Sequence, residues 1–73
     1  MSTLYQRIKD LREDLNLTQK DIAEILNMTQ QNYSNIENGT TEITADRLIS
    51  LSVFYNVSID YILGLTNKKE VNK

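Results

Sequence analysis

The sequence contains no cysteine and no histidine. Those two absences remove disulfide frameworks, thiol nucleophiles, zinc fingers and the commonest general base together, so neither a metalloenzyme nor a triad hydrolase is expected. Proline is missing too and there are only two glycines, while hydrophobic residues make up 40% of the chain, a balance that suits packed helices better than a sheet or a disordered tail. No apolar run approaches the roughly 18 residues that cross a bilayer, and the amino terminus lacks the basic-then-apolar order of a secretory signal. The chain is therefore expected in a reducing cytoplasm, without a membrane partner. At 73 residues it has room for one core, because a domain this small buries only about 60% of its unfolded surface. Positive charge is scarce as well. A formal charge of −2 argues against a nucleic-acid partner, since non-specific DNA affinity comes mostly from Lys and Arg on phosphates.

What the chain does have is helical periodicity and a repeated start signal. Leu4, Ile8, Leu11 and Leu15 fall at helical spacing, and Thr3 with Gln6 has the form of a capping box. Beyond them one pattern recurs four times: Leu17-Thr18 with Ile22, Met28-Thr29 with Tyr33, Ile43-Thr44 with Leu48, and Val57-Ser58 with Ile62. Each matches an N-cap hydroxyl flanked by a hydrophobic staple. Asn16, Asn27 and Asn56 stand just before three of these staples, and Asn tolerates the left-handed conformation that closes a helix. The same tripeptides read as glycosylation sequons, but without a secretion signal the capping reading is preferred. Asn38-Gly39 is read as a helix end rather than a hairpin turn, because the Gln- and Asn-rich stretch before it lacks β-branched alternation. Five helices follow, near 3–15, 18–26, 29–38, 44–55 and 58–63, within a domain spanning 1–65 and followed by a polar tail over 66–73.

Helices two and three are separated only by Asn27 and Met28 before the Thr29 cap, a connection short enough to set two helices at a steep angle. In helix three only Tyr33 and Ile36 are apolar, while Gln30, Gln31, Asn32, Ser34, Asn35 and Asn38 form an uncharged amide and hydroxyl surface. A merely solvated face usually carries Glu and Lys, which are better helix formers than Asn and Ser. Gln and Asn bond bidentately to adenine N6 and N7 in the major groove, so Gln30 and Gln31 suit base readout. Ala23 is read as the small residue at a close helix crossing, and Tyr33 as partly buried in the core in preference to stacking on a base, with its hydroxyl still able to reach a phosphate.

The chain from about Leu4 to Leu65 resembles the lambda-repressor and Cro-like (XRE-type) helix-turn-helix proteins. The likeness rests on Leu17-Thr18-Gln19, Ile22-Ala23, Thr29-Gln30-Gln31, Ile36-Glu37-Asn38-Gly39 and Val57-Ser58-Ile59-Asp60-Tyr61-Ile62-Leu63-Gly64 taken together. It implies an all-α, compact five-helix lambda-repressor-like domain whose helix-turn-helix is formed by helices two and three. It further implies that Gln30, Gln31, Ser34 and Asn35 face base edges. Thr18, Gln19, Lys20, Thr29, Asn32, Asn38, Thr40 and Lys9 are expected at the DNA backbone, with Gln19 also steadying Gln30. By the same likeness Arg12 and Glu37 form an internal ion pair between helix one and the end of helix three.

There are departures from the family pattern. Thr40, Thr41 and Glu42 stand where the family often has Lys or Arg, and no basic residue lies between Lys20 and Arg47. Phosphate contacts must then lean on helix N-terminal amides, hydroxyls and a few cations such as Lys9 and Lys20. Helix four carries Ile49, Val53 and Phe54 beyond its core set, and Val53 takes a position commonly polar in the family. Val53, Phe54, Tyr61, Leu63 and Leu65 are accordingly expected at a homodimer interface, since surplus apolar residues on a small domain mark a contact surface. The expected role is sequence-specific binding of double-stranded DNA at a palindromic or pseudo-palindromic operator, as a small homodimeric regulator, most naturally a repressor. The competing role is a protein-interaction module of the same fold, an antitoxin or anti-repressor target with DNA binding secondary, which the acidic balance favours and the amide-rich face opposes. An enzyme is not expected, and nothing in the residue set calls for a cofactor, a metal or a small-molecule ligand.

Overall fold

The hydroxyl pattern sets the frame of the molecule. A computed structural model describes residues 3–70, the side chain of Thr3 excepted, and contains five helices: α1 (Thr3–Asp14), α2 (Gln19–Ile25), α3 (Gln30–Glu37), α4 (Ala45–Tyr55) and α5 (Ile59–Leu63). No strand occurs among the described residues, so the all-helical class expected from the sequence holds. Thr18, Thr29, Thr44 and Ser58 hold extended backbone and accept the amides of Asp21, Asn32, Arg47 and Tyr61, which satisfies donors that a helix start would otherwise leave bare. At Thr18 the Asp21 carboxylate also accepts the Thr18 amide at 2.9 Å, closing a reciprocal cap. That backbone bond is the main reason the Asp21 carboxyl sits below its ordinary value. The cap expected from Thr3 with Gln6 lies outside the described residues; Gln6 Nε2 donates to Asp10 Oδ1, one turn on, at 2.9 Å.

Asn16, Asn27 and Asn56 all adopt positive φ, at 57°, 61° and 55°. Each turns the chain between one helix and the next, so the connections stay short and the helices stack tightly. α1 is shorter than its apolar spacing suggests. It ends at Asp14, and Leu15, although in phase with Leu11, is left 54% exposed because Asn16 reverses the chain and Leu17 packs in its place.

The staple residues Leu17, Met28 and Ile43 pack against the core, and Val57 is buried within it. That core is built from Ile8, Leu11, Ile22, Ala23, Leu26, Tyr33, Leu51, Val57 and Ile62. Full burial of an aliphatic side chain of this size contributes about 1.5–3 kcal/mol, and with no cysteine to form a disulfide these side chains carry the fold. Ala23 is 1% exposed, and α2 packs on α3. α1 bridges α3 and α5, and α4 packs chiefly on α5.

The segment after α5 is folded back rather than loose. The Ser58 amide donates to the Lys69 carbonyl at 2.9 Å, and Arg7 of α1 donates to the carbonyls of Tyr61 and Thr66 and to Asn67 Oδ1. The polar tail expected from residue 66 is therefore tied to the domain as far as Lys69, with 71–73 outside the described residues. No helix among the described residues is long and apolar enough to cross a membrane.

Candidate nucleic-acid interface

α2 and α3 form a pair joined by a tight turn, and α3 shows two unlike sides. Tyr33, Ile36 and Glu37 are buried, whereas Gln30, Gln31 and Asn32 are exposed and Ser34 and Asn35 are half-buried. At 100° per residue, Gln31, Asn35 and the capping Asn38 stand opposite that buried line, with Gln30 and Ser34 on one flank and Asn32 on the other. The outer ridge is therefore an unbroken row of amides and a hydroxyl. Gln31 Nε2 donates to Asn35 Oδ1 at 3.1 Å, so two of its amides are already aligned with each other.

The end of α3 is held from below. Arg12 grips Glu37 with two bonds, Nε to Oε2 at 2.9 Å and Nη2 to Oε1 at 2.8 Å, and spends Nη1 on the Leu17 carbonyl at 2.8 Å. The two side chains are 12% and 4% exposed, so this is an interior pair. Burial pushes the Glu37 carboxyl upward, but hydrogen bonds from Arg12 foremost, with Gln19 contributing, outweigh it and leave the group below its ordinary value. The reciprocal bond raises the Arg12 guanidinium. One ion pair thus locks the end of α1, the entry to α2 and the last turn of α3 into one unit.

Gln19, expected at phosphate and beside Gln30, is half-buried and donates Nε2 to Glu37 Oε1 at 3.2 Å. Tyr33 departs from its expectation too. It is fully buried, and its hydroxyl, close to Glu37 but without a hydrogen bond of full geometry, cannot reach phosphate. Burial first, then the neighbouring carboxylate, drives its pKa far above the ordinary phenol value. The buried Tyr55 hydroxyl is likewise unpaired, and burial pushes it up to about 12.

Thr18, Lys20, Thr29, Asn32, Asn38, Thr40 and Lys9 are all exposed, with the hydroxyls of Thr18 and Thr29 engaged as caps. The loop after α3 begins at Gly39, whose φ of +79° suits glycine and whose added Cβ would meet the Tyr5 ring at 3.3 Å. Both Thr40 and Thr41 amides return to the Asn35 carbonyl, which keeps this loop close to the end of α3. Of the cations, Arg7 and Arg12 are spent on interior bonds and Arg47 donates to the Leu26 carbonyl at 2.7 Å. Sequence reasoning passed over Arg7 and Arg47; the one available signal was that Arg47 is the sole basic residue from Asp21 to Asn67.

Of the residues expected at an interface between copies, Val53 and Leu65 are 75% and 74% exposed and Phe54 and Leu63 about half that. Tyr61 differs. It is half-buried, with the Arg7 guanidinium 4.1 Å from its ring centroid and the Lys69 ammonium at 5.8 Å, so its own chain leaves little of it to a partner. Among the described residues no group of three or more carboxylates is placed to hold a metal ion.

No curated protein matches the chain. A family model described as helix-turn-helix matches residues 8–62, from the first fully buried residue of α1 to the last of α5. It takes in the α2–turn–α3 pair, the buried lock beneath it and the whole outer ridge of α3, and the family is a DNA-binding, non-enzymatic one used in transcription regulation. The chain belongs to the helix-turn-helix family of the lambda-repressor and Cro type.

Proposed function

We propose that this protein is a sequence-specific repressor that binds double-stranded DNA as a homodimer in the cytoplasm, laying α3 in the major groove. The observation that carries the reading is the outer ridge of α3, where Gln31 and Asn35 are paired and Gln30 and Ser34 flank them above a buried anchor. Gln30, Gln31, Ser34 and Asn35 are assigned to base edges, where an amide offers the donor and acceptor pair that adenine matches. Thr18, Lys20, Thr29, Asn32, Asn38, Thr40 and Lys9 are assigned to phosphates, which position the protein without carrying sequence information. Gln19 acts one step back, through Glu37. One such helix covers only a few base pairs, so a two-fold dimer over two half-sites supplies the remaining specificity.

Selection of bound duplexes from a random library tests this directly. The expected product is a pair of inverted half-sites about 34 Å apart or a multiple of that. Failure to enrich any sequence would refute it. The competing reading, a module that meets another protein, is favoured by one observation: exposed apolar Val53 and Leu65 on a chain whose net charge is −2. Under that reading no duplex is enriched.

A further inference from the structure

The Leu26 carbonyl lies at the C-cap of α2, where a helix leaves acceptors without partners of its own, and the Leu26 residue is buried. Neighbouring carbonyls are served by the turn itself: the amide of Asn27 goes to Glu24 and that of Met28 to Ala23. The Leu26 carbonyl is served from outside it, by Arg47 Nη1 at 2.7 Å across 21 residues of sequence. Arg47 stands in the first turn of α4, its own amide fixed by Thr44 Oγ1 at 3.3 Å, so the donor comes from a well-held backbone. A charged donor on a backbone carbonyl is among the stronger hydrogen bonds available. Because α4 packs chiefly on α5, this bond ties the remainder of the domain to the α2–α3 turn.

We propose that Arg47 is a positioning residue for DNA reading: by holding the Leu26 carbonyl it fixes the turn that aims α3. The inference rests on the base-reading role given above to α3. A residue in contact with bases must be held within about half an ångström of its productive place, so slack in this turn reaches every base contact at once. The natural rival is a phosphate contact, since Arg47 is the only cation near the middle of the chain. The two differ in what they change. A phosphate ligand contributes equally to all duplexes and to the salt slope, whereas a positioning residue contributes to discrimination between duplexes.

The test uses Arg47→Met, which keeps the stem without donors, and Arg47→Lys, which keeps the charge on a single donor nitrogen. Affinities of the full chain for its selected duplex and for a scrambled one are measured over a salt series, and amide exchange is followed in both variants without DNA. Arg47→Met is expected to lower the selected-to-scrambled ratio about tenfold, the worth of roughly one base contact, with the salt slope unchanged and Arg47→Lys restoring part of the ratio. Exchange should quicken at Asn27 and Met28 ahead of Ile36. Equal loss on both duplexes with a slope shallower by about one would make Arg47 a phosphate ligand and overturn the proposal. So would an unchanged ratio, or exchange that quickens equally at every amide. If the wild-type chain prefers no duplex, base reading itself fails, and selective exchange at Asn27 and Met28 alone decides whether Arg47 holds the turn.

Discussion

The Glu37 carboxylate accepts two bonds from Arg12 and one from Gln19 while almost wholly buried. Removing one member of such a pair leaves the other charge buried without its partner, which costs about 3–5 kcal/mol. A domain of 73 residues has about 4–11 kcal/mol of stability in all, so Glu37→Gln should bring the chain close to unfolding at room temperature. The amide still offers one acceptor oxygen, which places the expected loss near the lower figure, about 3 kcal/mol by urea denaturation at pH 7. The pH dependence follows from the sign of the shift. Because the folded-state carboxyl lies below the ordinary value of 4.5, the unfolded chain takes up the proton first, and stability present above that value is lost as pH falls through the lower folded value. The gap between the wild type and Glu37→Gln should therefore narrow progressively below about pH 4.5. A gap that stays constant down to pH 2 would mean that the pair contributes nothing through its charge.

At the scale of elements, three helices close on asparagines in the left-handed region, and that choice is testable at the functional turn. Asn27 has φ of 61°, a conformation that costs an alanine about 1 kcal/mol or more and a glycine almost nothing. Asn27→Ala should lower stability by about 1 kcal/mol and Asn27→Gly by no more than a few tenths, measured by thermal denaturation. Equal losses would point to the Asn27 side chain instead of its backbone. These features were readable in advance because they are local: a hydroxyl accepting an amide three residues on, or an Asn closing a turn, leaves its mark within a few letters of sequence. The end of α1 was misjudged for the same reason in reverse, since Leu15 keeps the helical period although Asn16 has already ended the helix. What could not be read were the bonds of Arg7 and Arg47, whose acceptors are backbone carbonyls 54 and 21 residues away. Every residue has a carbonyl, so such bonds leave no signature in residue types. The Arg12–Glu37 pair came only by way of the family resemblance. The inward turn of Gln19 was hidden because it depends on that pair being in place.

The proposed whole molecule pairs a reading surface on α3 with a dimer contact through the carboxyl-terminal third. Val53 and Leu65, 75% and 74% exposed, contribute little to the core, so charged substitutions there should spare the fold. Val53→Glu with Leu65→Lys is expected to give a monomer in sedimentation, with helical content kept and affinity for the two-half-site duplex lost. An unchanged dimer would move the contact elsewhere on the surface. The proposed function stands or falls on the amides of α3 reading base edges. The most direct test is to titrate the wild type, Gln30→Ala and Gln31→Ala against the selected duplex and a scrambled one at a single salt concentration. Each substitution should cost about 1–3 kcal/mol on the selected duplex and leave the scrambled one nearly unchanged, because base contacts specify whereas phosphate contacts only position. Equal weakening on both duplexes would contradict base reading by these residues.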